Sequence, residues 1–223
     1  MIDHTSISPA MQDYAKAIYS LQTRTGASVS TSALAERLGV TPASVSAMLH
    51  KLEDRGLVEC EPYRGTRLTQ QGQRVALEVL RHHRLLETFL AQELGVPWDR
   101  VHDEAEVLEH VISEDLEQRI AAKLGDPRCD PHGDPIPGPD LRLDETPSKG
   151  LGDLAVGARG RLLRVSDANP EMLRYLDELG IRLGDTLEVV ETPRFGGPLT
   201  VRIGQQTHLI GGELAAAMRV ELA

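Results

Sequence analysis

The stretch VTPASVSAMLHKLEDRGLVECEPYRGTRLT, residues 40–69, decides the reading of the N-terminal part of the chain. Thr41 stands where an N-cap is needed and Pro42 at the first helical position, so a helix starts here. Apolar residues at 45, 48, 49 and 52 give that helix one buried face. Its outer face then shows Ala43, Ser44, Ser46, Ala47, His50 and Lys51 beside the Thr41 cap, small and polar groups able to approach base edges and phosphates. Downstream, LVECEPYRGTRLT alternates into a turn at Arg64-Gly65 and out again, which places Arg64 and Arg67 at the tip and return strand of a β-hairpin.

Working outward, DYAKAIYSLQTR (13–24) carries apolar residues at 14, 17, 18 and 21, a helical stripe, and STSALAERLGV (30–40) is a short capped helix closed by Gly39. Two short helices around a glycine-containing turn make a helix-turn-helix, and the basic hairpin completes a winged helix. Such a unit docks on DNA, or serves as a protein-binding module.

The 223 residues suffice for one large or two ordinary domains. Aromatic residues are 3% of the chain, so aliphatic side chains must build the core. Cys60 and Cys129 alone exclude a disulfide framework and suit a reducing compartment. The start MIDHTSISPA lacks a signal-peptide pattern and no apolar run reaches the roughly 20 residues a bilayer requires, so a cytoplasmic protein without a membrane partner is expected. The net charge of −10 alone argues against nucleic acid, but residues 1–74 sum to +1 (eight Lys/Arg, seven Asp/Glu) and residues 98–145 to −9 (five against fourteen). The N-terminal part is therefore free to meet phosphates.

The acidic region contains VHDEAEVLEH, residues 101–110. Read as part of a helix over 98–112, it places His102, Glu106, Glu109 and His110 in one arc beside an apolar stripe of Val101, Ala105, Leu108 and Ile112. Neighbouring carboxylates at the edge of a core repel one another and lose hydration, so a positive centre is expected among them, and a divalent metal is the leading candidate. Upstream, residues 70–95 read as one long helix in which His83 and Glu87 share a face, while His82 reads as a hydrogen-bonded core or solvated residue. SEDLEQRIAAKLG (113–125) adds a helix. Residues 125–150 hold six Pro and four Gly and read as an irregular connector, whose Asp130 and His132 are either metal ligands or a turn former and an exposed ring. After it, GDLAVGARGRLLRV, DTLEVVET and PLTVRIGQQTHLIGG read as short strands, interrupted by the helix NPEMLRYLDELG with Asn169 and Pro170 at its start. That pattern suits a small SH3-like β-barrel.

The order of winged helix, HHRLLETFL (82–90), VHDEAEVLEH, DPHGDPIPG (130–138) and terminal barrel resembles the diphtheria-toxin-repressor family of metal-dependent transcription regulators over nearly the whole chain. The resemblance implies a mainly α protein: a winged-helix DNA-binding domain over 1–74, a helical metal-binding and dimerisation domain over 75–140, a linker over 141–150, and an SH3-like domain of FeoA type over 151–223. It implies a primary metal site of Asp13, Glu106, Glu109 and His110. A second site would use His83, Glu87 and His102, completed by Asp130, His132 or Asp167. Iron-responsive members carry Met and Cys at the positions of Asp13 and Glu106. Carboxylates there resemble the manganese transport regulators, and hard oxygen donors suit Mn2+, with Fe2+ as the alternative. Small manganese regulators without a barrel have Glu where this chain has Lys16, so their paired-metal geometry does not transfer.

The expected function is a homodimeric repressor whose metal fixes the spacing of two recognition helices on a double-stranded DNA operator, controlling metal uptake genes. Two other classes compete. A metallohydrolase would need an open coordination position and a general base, and no HExxH motif is present. A winged-helix regulator with a purely structural metal would bind DNA independently of added ions.

Overall fold

Caps and turns set the N-terminal elements of the chain, whose computed structural model describes residues 7–61, 64–192 and 197–222. Residues 1–6, and Pro62 and Tyr63 of the hairpin, lie outside the described residues. Helix α1 spans Pro9–Thr25, α2 Thr31–Leu38 and α3 Pro42–Asp54. Ser30 caps α2 by accepting from the Ala33 N–H at 3.1 Å, and Thr41 caps α3 by accepting from the Ser44 N–H at 3.2 Å. Strands β1 (Val58–Glu61) and β2 (Gly65–Leu68) pair antiparallel in the register Val58 to Leu68, with Val29 bridging Thr66 on the far side. Ile18, Leu34, Val45, Leu52 and Leu57 are buried at the centre of this part, so the apolar faces read from the sequence do form its core.

Helix α4 runs unbroken over Gln70–Leu94. Thr69 precedes it, donating its N–H to the Leu57 carbonyl at 3.0 Å. Gly72 lies against that same carbonyl: a β-carbon at this position would stand 2.0 Å from the Leu57 oxygen. The helix can approach the wing only because residue 72 has no side chain.

The chain divides into two compact units. One holds the described residues of Met1–His83, Leu108–Glu114 and Pro137–Arg142; the other holds those of Arg84–Val107, Asp115–Ile136 and Leu143–Ala223. In the second unit a six-stranded antiparallel sheet has the order β3-β8-β4-β5-β6-β7, built from Lys149–Gly150, Arg159–Val165, Thr186–Glu191, Leu199–Ile203, Gln206–Ile210 and Met218–Leu222 as β3 to β8. Leu162, Val165, Leu187, Val189, Val201 and Val220 fill its inner face, together with Leu173 and Leu176 from α7 (Pro170–Glu178). Among the described residues no helix is long and apolar enough to cross a membrane.

Three expectations need correction. The fold is only roughly mainly α, because eight described helices are joined by a full six-stranded sheet. The sheet is larger than read: β3, β8 and the short helix α8 (Gly212–Ala217) have no counterpart in the sequence reading, β3 being only two residues long and β8 following directly on the helix-favouring ELAAAM. The helix expected over 98–112 is shorter, with α5 confined to Val101–Leu108 and α6 following at Glu114–Lys123. Glu109 and His110 stand in the turn after α5, where the Leu108 carbonyl accepts from both Val111 and Ile112.

Replacing Gly72 with Ala should force α4 away from the wing and cost about 1–3 kcal/mol or more, the usual range for overpacking against a fixed group. Chemical denaturation of the two proteins tests this, and equal stability would show that the helix moves without cost.

Candidate metal centre

In the first unit, Glu109 is the most constrained charged group: its residue is 1% exposed. A carboxylate removed from water needs compensation. Lys16 of α1 lies 2.6 Å from its Oε1, and His83 Nδ1 of α4 lies 2.5 Å from its Oε2. The Glu109 carbonyl accepts from His82 Nδ1 at 3.2 Å, so of the two readings of His82 the hydrogen-bonded core residue is the one the structure has, not the solvated one.

His110 follows Glu109 in the same turn. Its Nδ1 is 2.7 Å from Oε1 of Gln12, an amide oxygen that can only accept, so Nδ1 carries a proton. That leaves Nε2 facing Asp13 Oδ1 at 2.9 Å and Glu109 Oε1 at 3.5 Å. A nitrogen aimed at two carboxylate oxygens calls for a second proton or a metal ion, and one imidazole nitrogen with two carboxylates is a hard donor set suited to a divalent ion. Gln12 orients the ring in the way that outer partners orient ligating histidines. Nothing in the sequence singled it out. A cleft of about 220 Å³, lined among others by Gln12, His82, Glu109, His110 and Glu114, leads to these atoms.

In the second unit, His102 Nδ1 lies 3.0 Å from Asp167 Oδ2 and 3.3 Å from Glu87 Oε1, and its Nε2 lies 3.7 Å from Glu106 Oε1 one turn along α5. Hydrogen bonds to Asp167 and then Glu87 push the His102 pKa up to about 10, against the opposing effect of burial. Burial alone would raise the Asp167 carboxyl, but the hydrogen bond and charge of His102 override it and leave that pKa below its ordinary value.

Asp130 and His132 are buried in this unit, at 7% and 0% exposure, so the exposed-ring reading of His132 is overturned. The connector is folded tightly enough to bury it. Asp130 Oδ1 accepts from the N–H groups of His132 and Asp134, at 2.8 and 2.9 Å. Arg84 donates to the Pro135 carbonyl at 2.5 Å and pairs with Asp130 and Asp134. Burial, then the charges of Asp134 and Glu87, raises the Asp130 pKa well above its ordinary value.

The structure thus brings Asp13, Glu109, His110 and His83 together in one unit, and Glu87, His102, Glu106, Asp167, Asp130 and His132 in the other. On the winged helix, Thr41, Ala43, Ser44, Ser46, Ala47, His50 and Lys51 are all exposed, as is Arg64, which pairs with Glu61 at 3.4 Å. Val45, Leu49 and Leu52 face inward, so this polar surface is free to meet a ligand.

Similarity to known proteins bears on both surfaces. Residues 6–66 match the N-terminal DNA-binding domain of iron dependent repressors, residues 69–138 their metal binding and dimerisation domain, and residues 149–222 the FeoA domain. Over 93% of its length the chain is 32% identical to the iron-dependent repressor IdeR of Mycobacterium tuberculosis, covering 95% of that protein. It is 33% identical to the diphtheria toxin repressor of Corynebacterium efficiens, with 93% of each chain covered. Among solved structures, a manganese-dependent transcriptional repressor in complex with manganese superposes with a TM-score of 0.90 at 45% identity, over 96% of this chain and all of that one. The manganese regulator SloR superposes at 0.79 with 32% identity, over 97% and 100% of the two chains.

In the absence of metal the His102 ring holds its proton to about pH 10, so an ion binding at Nδ1 must displace it. Affinity there should rise with pH up to about 10, with roughly one proton released per ion below that pH. Stability of the metal-free chain should run the other way, the His102 contribution being complete below about 6.5 and lost as pH rises towards about 10. Calorimetric Mn2+ titration in buffers of different ionisation enthalpy measures the proton, and the same proton count in His102→Ala would contradict this account.

Proposed function

Because the chain belongs to the diphtheria-toxin-repressor family of metal-dependent transcription regulators, we propose that it represses metal uptake genes by binding their operators as a homodimer activated by Mn2+. As a member of that family it is a metal-dependent DNA-binding repressor and not an enzyme. The choice of metal, the ligands, the operator contacts and a cytoplasmic location are the proposal.

The observation that carries it is the convergence of Asp13, Glu109 and His110. Asp13 belongs to α1, which packs in the winged-helix core, and Glu109 and His110 belong to the turn after α5. An ion held by these residues ties α1 to that turn. It favours the DNA-competent arrangement only by as much as it binds that arrangement more tightly. Glu87, His102 and Asp167 would hold a second ion; the family resemblance adds Glu106 to the first ligand set and His83 to the second. The bound ion supplies positive charge among carboxylates, while Gln12 orients His110 and the Glu109 carboxylate stays paired to Lys16.

Asp13 is an oxygen donor, which supports Mn2+ over softer metals. The manganese-dependent repressor at 45% identity supports the same choice, and the iron-dependent repressors at 32% identity favour Fe2+ as the second reading. On DNA, the outer face of α3 would meet base edges through Ser44 and its neighbours, and Arg64 would meet a phosphate.

Operator binding titrated anaerobically with Mn2+, with Fe2+ and without metal tests the proposal. His110→Ala should lower metal-activated binding by at least about 10–100-fold, since even the outer partners of metal ligands carry that much. Exchanging Asp13 and Glu106 for Met and Cys should lower the ratio of Mn2+ to Fe2+ activation. DNA binding that ignores added metal would defeat the reading. Separately, Arg64→Ala should weaken binding to all sequences and reduce the salt slope by about one; an unchanged slope would remove the wing from the interface.

A further inference from the structure

Glu87 offers its two oxygens to two different histidines. Oε1 lies 3.3 Å from His102 Nδ1, and Oε2 lies 3.8 Å from His132 Nδ1. The first belongs to the group with Asp167; the second belongs to a separate group, since ligand atoms of Glu87, Asp130 and His132 all lie within 4.8 Å of one another. All five residues are in the second unit.

The His132 ring is held in one orientation. Its Nε2 is 2.7 Å from the Trp98 carbonyl, which only accepts, so Nε2 carries a proton and in the neutral ring Nδ1 presents a lone pair. The ring also stacks on the Trp98 indole, with centroids 6.2 Å apart. Its backbone is clamped: the His132 carbonyl accepts from Val165 at 2.9 Å, and a β-carbon on Gly133, which has φ 88°, would stand 2.1 Å from the Leu163 carbonyl. The residue is wholly buried, yet Nδ1 has no hydrogen-bond partner among the described residues. A buried ring nitrogen facing a buried carboxylate oxygen without a hydrogen bond is a costly arrangement unless a proton or a metal cation lies between them, and 3.8 Å is too long for the hydrogen bond a proton would make. Ligand bonds of about 2.0–2.2 Å from nitrogen and oxygen span a 3.8 Å gap. The guanidinium of Arg84 does not fill this role: it approaches Asp130 from Nε at 3.6 Å, and its terminal nitrogens go to Pro135 and Asp134.

We propose that Glu87 is a bridging carboxylate and that the second unit holds a pair of divalent ions, one at Glu87, His102 and Asp167 and the other at Glu87, Asp130 and His132. This deepens the metal-dependent reading above and rests on it. A shared carboxylate places two ions a few ångströms apart, about 3.5–4 Å in known two-metal sites, and couples their occupancy.

The test uses the full-length chain with Mn2+ alone as probe, counting bound ions by equilibrium dialysis and elemental analysis and recording low-temperature electron paramagnetic resonance. The expected result is three ions per chain at saturation, two of them magnetically coupled, so that the resonance intensity per bound ion falls below that of isolated Mn2+. His132→Phe keeps the stacking on Trp98 and removes Nδ1. It should bind one ion fewer and lose the coupled signal. Asp130→Asn, which keeps an oxygen for the two backbone N–H groups, should do the same and carries the test if the Phe variant does not fold. Two uncoupled ions in the parent chain, or an unchanged count in both variants, would overturn the bridged pair and leave the repressor reading standing. A parent chain that binds DNA without regard to metal would remove the repressor reading itself.

Discussion

The carboxylate of Glu109 sets the terms for the first unit. Buried to 1% exposure, it has to be surrounded by donors, and it draws them from separate parts of the chain: Lys16 from α1 and His83 from α4. Removing one partner of such a pair costs on the order of 3–5 kcal/mol, because the other is left as an uncompensated charge out of water. Helix α5 ends at Leu108, just before Glu109. Beyond it Glu109 is turned inward and His110 stands 2.9 Å from Asp13, so the turn that carries the buried charge also brings together the donors of the proposed metal centre.

Lys16 and His83 already compensate Glu109 in the absence of an ion. What an ion at the proposed site would add lies mainly between Asp13 and His110, where the ring nitrogen and carboxylate oxygen face each other. The ion's effect on the protein is then a difference between two compensated states, which suits a regulator better than a structural metal. In the second unit the carboxylates are denser and the compensation more divided. Arg84 and Arg164 serve Asp134, with Arg84 also beside Asp130, the His102 proton serves Asp167 and Glu87, and His132 Nδ1 has no hydrogen-bond partner among the described residues.

Much of the fold was legible because local rules and burial agree. Thr41 and Pro42 do start α3, Asn169 and Pro170 do start α7, and apolar spacing in 13–24 and 42–54 does mark the inward faces. The region around 98–112 was legible only in part. Its helical periodicity is real as far as Leu108, but periodicity cannot register that a later carboxylate will be paired by residues 26 and 93 positions away in the chain. His132 lay in a proline- and glycine-rich connector whose composition gives no periodicity from which to judge burial.

The amino-acid sequence by itself determined most of the helices, the wing and the central strands, though not β3, β8, α8 or the end of α5, together with the residue types that could meet DNA or metal and the resemblance in which they stand in that order. Capping, periodicity and turn chemistry are local, and ligand chemistry belongs to the side chain. The resemblance implied that Asp13 stands with Glu109 and His110, and Glu87 with His102; only the tertiary structure gave the distances among them and turned the other Glu87 oxygen towards His132. It also supplied Gln12 as the group that sets the His110 tautomer, and the Trp98 carbonyl as the group that sets the His132 tautomer. Tautomer and burial depend on which acceptor packs against a ring, and that is a property of distant segments brought together by the core.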